Sequence, residues 1–265
     1  MNGSRVSRRF RLTLTSRLRR RITILLGVAL AIAAFAGPTI DSGARALAAK
    51  NQDDKLEAAR RAAAARAGSV KHIKMIMVGM HTYHDTNKRF PAAFTSKDGK
   101  PLLSWRVALL PYLEDESARE LSKQFHLDEP WDSAHNKTLI AKMPDVYQSP
   151  ASELNDGRTV YLTPRADFTA FPGDQAVPIR KILDGMSKTI GLVEVDDPQA
   201  VPWTKPDDWK VDLENPKAGF DGQYENGLNA AFVDGSVHFV AYAVDEKLLK
   251  ALLTIDGAED IRLPF

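Results

Sequence analysis

The chain has 265 residues, no cysteine, 36 basic and 34 acidic side chains. That length suits one domain plus a leader, with room for a real core, and the lack of thiols excludes disulfide staples and a cysteine nucleophile. Residues 1–48 hold nine arginines and one acid, Asp41; without them 27 basic and 33 acidic residues remain, so the electrostatic argument for a nucleic-acid partner falls away.

Eight arginines within residues 1–21 precede an apolar run from Ile22 to Ala36. Fifteen residues of helix rise about 23 Å, short of a hydrocarbon core of roughly 30 Å. Two small-residue sites follow, Ala34-Phe-Ala36 and Ala46-Leu-Ala48. The segment therefore reads as a cleaved export signal, or as a short retained anchor whose arginines snorkel to the interface. Ser7-Arg8-Arg9-Phe10 also resembles a twin-arginine signal. Three regions are expected: a signal or anchor over 1–48, a helical stalk over 49–91 and a globular head over 92–265.

The pattern predicts a long helix over 52–86. It opens on Lys55, Glu57, Arg60 and Arg61 among alanines, all strong helix formers. It continues with an apolar stripe of Val70, Ile73, Met77, Met80 and His84, and Asn87 and Pro91 end it. A short helix is expected near 116–125. Another starts at Asp132 or Ser133, buries Leu139, Ile140 and Met143, and stops at Pro144. Residues 159–171 and Ile190–Val195 alternate as strands, with a short helix at Ile179–Met186 between them. Four prolines and two tryptophans make 198–222 a long loop. A hairpin over 228–241 turns on Asp234-Gly235 in a two-residue type I′ turn. Asp245 caps a last helix carrying Leu248, Leu249, Leu252 and Leu253, with Gly257 past its end. Helix first, then strands with short helices between them, gives an α+β fold: a long N-terminal helix packed on an antiparallel sheet.

Several segments taken together resemble one family. They are His81-Thr-Tyr-His-Asp85 with Phe90-Pro91, Leu103-Ser-Trp-Arg-Val-Ala-Leu-Leu-Pro-Tyr-Leu113, Asp128-Glu-Pro-Trp-Asp-Ser133 and Lys142-Met-Pro-Asp-Val-Tyr147. After them come Asp184-Gly-Met-Ser-Lys-Thr-Ile190, Glu194, Val201-Pro-Trp-Thr-Lys-Pro-Asp-Asp208 and Asp234-Gly-Ser-Val237. Any one is common; eight in order over residues 52–256 are not. They resemble the bacterial domain-of-unknown-function family 1559, the H-x9-DG pseudopilin-like proteins. The resemblance implies a pseudopilin-like head in the cell envelope with no established activity. Three departures accompany it. No G-F-T-L-I-E-L prepilin peptidase site stands before Ile22. Tyr224 occupies the place of the eponymous histidine. Ser69 and Ser149 fall where the resemblance implies paired cysteines, a helix-to-head staple.

Several constellations carry candidate chemistry, each with a plain structural counterpart. His72, His81, His84 and Asp85 offer metal-type ligands on a helix, although His84 also completes the apolar stripe. Glu194, Asp196, Asp221 and Asp234 are calcium candidates, or else solvated loop carboxylates and turn caps. Trp203, Trp209 and Tyr224 form a sugar- or partner-binding surface, or else pin a long loop. Trp105, Pro130, Trp131, Asp234 and Gly235 read as structural motif residues. No G-x-S-x-G, H-E-x-x-H, P-loop or G-x-G-x-x-G occurs. The expectation is a non-enzymatic envelope protein, without a cofactor unless calcium binds. Its partners would be envelope proteins or a surface polymer, and the membrane itself if residues 22–36 are retained. The alternative is a secreted carbohydrate-binding protein or hydrolase using residues 194–224.

Overall fold

The computed structural model describes residues 38–257 and 261–262. The arginine-rich leader and the run at 22–36 lie outside them. No helix among the described residues is long and apolar enough to cross a membrane. Two compact units divide between Arg60 and Arg61.

Helix α1 (Pro38–Asn87) starts earlier than residue 52, the start that the sequence pattern suggests. Its alanine-rich composition carries the helix upstream without any apolar stripe, because propensity alone favours it there. In the unit Met1–Arg60 the described side chains from residue 43 onward are exposed. From Arg61 the helix belongs to the larger unit and buries Ser69, Ile73, Ile76, Met77 and Met80, while Val70 and His84 flank that stripe half-buried. Gly79 sits where a Cβ would stand 3.1 Å from Leu113 and 3.4 Å from Leu109, so its bareness lets the next segment close onto the helix. The helix ends as Lys88 takes a left-handed φ of 60° and its N–H donates to His84 O at 2.7 Å. That is a position more often held by glycine or asparagine.

After β1 (Phe94–Thr95) and β2 (Pro101–Leu103), Ser104 caps α2 (Trp105–Leu109) by accepting from the Arg106 N–H. Asp115 does the same for α3 (Glu116–Ser122). The helix expected from Asp132 or Ser133 is a 3-10 helix over Asn136–Lys142 that buries Leu139 and leaves Ile140 and Met143 half-buried. Residues 159–171 do not make one strand. The chain breaks into β3 (Arg158–Thr159), β4 (Tyr161–Leu162) and β5 (Pro164–Arg165), because each piece pairs with a different partner. The segment Ile179–Met186 holds one 3-10 turn (Ile179–Lys181) and meets a second, Met186–Lys188, at its end. The expected loop 198–222 contains β7 (Val201–Pro202) and β8 (Trp209–Lys210).

The central sheet joins β4, β6 (Ile190–Glu194), β9 (Gly227–Phe232) and β10 (Val237–Ala241) in the order β10-β9-β6-β4, antiparallel throughout. Two-stranded ribbons β1-β2 and β3-β7 are antiparallel, and β5-β8 is parallel. The hairpin turn differs from the type I′ expectation. Phe232 N donates to Ser236 O at 2.8 Å and Gly235 N to Phe232 O at 2.9 Å, so Val233, Asp234 and Gly235 form a three-residue loop. Only Gly235 takes a positive φ, 89°, as in a type I turn closed by a glycine bulge. Asp234 Oδ1 accepts from Ser236 N and Oγ at 2.9 and 2.7 Å, which fixes the turn. Asp245 caps α4 (Glu246–Leu253) by accepting from Lys247 N and Leu248 N.

Two motif segments meet in the core. Arg106 is fully buried, and its guanidinium donates to Asp208 Oδ1 at 2.6 Å, to Tyr161 O at 2.9 Å and to Ser104 Oγ at 2.9 Å. Asp208 also accepts from Trp105 Nε1 at 3.2 Å and from Thr163 N at 3.0 Å. The ion pair thus ties the Ser-Trp-Arg segment to the Asp-Asp end of 201–208 and to the β4 region. Trp131, half-buried, donates its N–H to Leu102 O at 2.8 Å, and Pro130 O accepts from Asn136 Nδ2 at 3.2 Å. A buried pair broken on one side leaves an uncompensated charge. Asp208→Ala is therefore expected to lower unfolding stability by about 3–5 kcal/mol, read as a shifted urea midpoint.

Candidate functional site

The sheet carries polar residues inside apolar strands. Glu194 follows Val193 on β6, and Asn229 stands between Leu228 and Ala230 on β9; both are buried. Tyr161 pairs with Glu194, Val193 with Ala230, and Asn229 with Phe239. Tyr161, Glu194, Asn229 and Phe239 therefore form one row across all four strands, on the face that α1 covers.

Glu194 is the centre of this row. Its Oε1 accepts from Ser69 Oγ at 2.6 Å and from Ser149 Oγ at 2.5 Å. Its Oε2 accepts from Asn229 Nδ2 at 2.7 Å and from the Tyr224 hydroxyl at 3.1 Å. Asn229 Oδ1 in turn accepts from Arg66 Nε at 3.4 Å. The Arg66 guanidinium lies 4.1 Å from the Phe239 ring centre and 6.0 Å from that of Tyr224. A buried carboxylate needs such donors to offset lost hydration. Here they come from α1, the 149 turn, the 224 loop and β9.

The positions of the implied cysteine pair are together: Ser69 Oγ and Ser149 Oγ stand 3.0 Å apart. Two hydroxyls and a carboxylate tie the helix to the head there. Tyr224, in place of the eponymous histidine, donates to the same carboxylate. Further along α1, His72 Nδ1 donates to Gln148 O at 2.9 Å and His81 Nε2 to Val233 O at 2.8 Å.

Burial first, then the Glu194 charge, pushes the Tyr161 and Tyr224 hydroxyls well above the usual tyrosine range; burial does the same to Tyr147. The Tyr161 hydroxyl faces the two serines without a well-formed hydrogen bond.

A serine beside a carboxylate is the raw material of acyl transfer, but access decides what it does. Ser69, Ser149 and Glu194 are 0%, 2% and 0% exposed. Neither the groove along α1 nor three smaller grooves are lined by any of them. The arrangement holds a helix to a sheet.

The four calcium candidates do not converge on one site. Both oxygens of Glu194 are occupied by the donors above. Asp196 N donates to Asp221 O at 3.0 Å, which brings those two residues side by side, while Asp196 Oδ1 accepts from Gln199 Nε2 at 2.8 Å. Asp234 is held in the hairpin turn by Ser236. Of the histidines, His72 and His81 donate to carbonyls, and His84 packs 5.1 Å from the Phe90 ring. Among the described residues no group of three histidine, aspartate or glutamate side chains is placed to hold a metal ion. Trp203 and Trp209 are 0% and 4% exposed, with Nε1 donating to Ile140 O and Ala218 O at 3.0 and 2.9 Å. They pin the loop and offer no aromatic surface. Sequence reasoning passed over Arg66, Tyr161 and Asn229; for the last two the signal available was a polar side chain inside an apolar strand.

Fold and site together define a helix-on-sheet α+β head keyed by a buried carboxylate. Residues 57–178 match the model of the family described as SBP_bac_10, protein of unknown function (DUF1559). The matched stretch includes Ser69, Arg106, Ser149 and Tyr161; Glu194 and the hairpin lie beyond it. No curated protein and no solved structure matches the chain.

Two outcomes follow from the site. With Ser69→Cys and Ser149→Cys together, mass analysis under oxidising conditions should show a disulfide. Reductant should then lower the urea midpoint by about 2–4 kcal/mol of stability; persistent free thiols would contradict the juxtaposition. Unfolded tyrosines lose their protons near pH 10, whereas buried Tyr147 and Tyr161 keep theirs. Above about pH 10 the unfolded chain thus binds fewer protons than the folded one, and stability falls by about 1.4 kcal/mol per pH unit for each. Tyr161→Phe should be near neutral at pH 7, since its hydroxyl lacks a partner, and should make the alkaline slope shallower in urea titrations from pH 8 to 11.

Proposed function

We infer that this protein is a non-enzymatic component of the bacterial cell envelope. It is exported or membrane-anchored through its N-terminal segment, and its pseudopilin-like head binds a partner protein or a surface polymer. The observation that carries this reading is the fate of the reactive-looking groups. Ser69, Ser149, Glu194, Asn229 and Tyr224 bond to one another beneath the helix, and the exposed surface is left to helix flank and shallow grooves. The arginine-rich leader and its apolar run supply the argument for export. The match of residues 57–178 to a family of unknown function is compatible with that role. The carbohydrate-binding or hydrolase alternative is weakened by the burial of Trp203, Trp209 and Glu194.

Intact-mass and N-terminal peptide analysis of the protein from cell fractions tests the reading. A mature start near Gly37 or Ala49 in the exported soluble fraction supports a free envelope protein. An intact leader in the membrane fraction supports a tethered one. A full-length chain confined to the soluble cytoplasm would refute both.

A further inference from the structure

Along the outer flank of α1 in the larger unit runs a groove of about 680 Å³. One wall is the helix, with Ala67, Val70, Lys71, Lys74, Met75 and Val78. The other is Tyr112–Asp115 with Asp145 and Val146. Its middle is apolar and open: Val78 is 52% and Met75 37% exposed, while Val70 and Tyr112 are half-buried. Charge is divided between the walls. The helix wall presents Lys71 and Lys74, and the loop wall presents Glu114, Asp115 and Asp145. Asp115 caps α3. Lys71, Lys74, Glu114 and Asp145 are exposed and form no ion pair with one another or with other described residues.

A patch that is basic on one side, apolar in the middle and acidic on the other is complementary to itself. Rotation by a two-fold axis through the middle lays the basic wall of one copy on the acidic wall of the next, twice over, and closes the assembly at two. We propose that this flank of α1 is where two copies of the chain pair, with Met75 and Val78 meeting at the axis and Lys71 and Lys74 of each copy facing Glu114 and Asp145 of the other. The pairing goes beyond the envelope reading and holds for a free or a tethered chain alike. It desolvates apolar side chains at the centre and leaves the ion pairs at the rim. The charges there set orientation and partner choice more than raw affinity.

Charge reversal on the full-length chain tests the arrangement. Lys71→Glu with Lys74→Glu makes both walls acidic; Glu114→Lys with Asp145→Lys makes them basic. Each double variant should associate at least about ten-fold more weakly than the wild type in sedimentation equilibrium. An equimolar mixture of the two should recover, because both contacts are then attractive. All four positions are exposed, and circular dichroism verifies that each variant is folded. A wild type that stays monomeric to about 100 µM, variants that associate as well as wild type, or a mixture that does not recover would each overturn the proposal. The cysteine-free chain adds a second readout. Val78→Cys should be joined by a short bis-maleimide into a covalent dimer, and Leu183→Cys, 75% exposed and outside the groove, should not. Association through the leader instead would link the two variants equally and refute the assignment.

Discussion

One carboxylate holds the arrangement of the head. Glu194 lies under α1 with no exposed surface, and an isolated charge there would be far too costly to keep. It persists because two serines, an asparagine and a tyrosine converge on its oxygens from separate parts of the chain. Removing any one segment would leave the others bonding to an under-satisfied acid. The apolar stripe of α1 supplies burial without direction, since Ile73, Ile76, Met77 and Met80 would pack in more than one rotation of the helix. The hydrogen bonds to Ser69 supply the direction.

A second buried pair, Arg106 with Asp208, does the same on the far side of Tyr161. Tyr161 takes part in both arrangements: its carbonyl accepts from Arg106, and its ring lies in the row with Glu194. The head is thus organised around two polar clusters joined by a two-residue strand. Buried polar groups of this kind select one packing among the several that a hydrophobic core tolerates. The irregularity of the sequence between residues 88 and 227 fits that description, because much of it is short turns anchored to these clusters.

The parts legible in the sequence were those with strong local signals. The stripe at 73–80, the Asp245 cap, the strand at Ile190–Glu194 and the hairpin with Asp234-Gly235 all follow from periodicity and turn chemistry. The hairpin's geometry was not legible, because a two-residue and a three-residue loop share the Asp-Gly dipeptide and differ only in where pairing resumes. Residues 159–171 misled for another reason. Alternation marks which side chains are buried, but the partner strands β7, β6 and β8 lie 30 or more positions away and divide the run between them. The site was half-legible. Ser69 and Ser149 stood out through the family resemblance, and Glu194 through its motif. Their convergence depended on a register that no local pattern encodes. The same blindness grouped Asp234 with Glu194, two acids that look alike in a sequence and have unrelated surroundings.

The anchoring of α1 also has a mechanical side. Its lateral bonds to the head, at Arg66, Ser69, His72 and His81, are spread along some fifteen residues and point across the helix axis. A pull on Arg61 directed along that axis would load them in parallel, in shear, so that they share the strain instead of peeling apart one after another. A sideways pull would meet the Arg66 end first and unzip the row from there. The head is therefore built to resist tension along its helix far better than leverage across it.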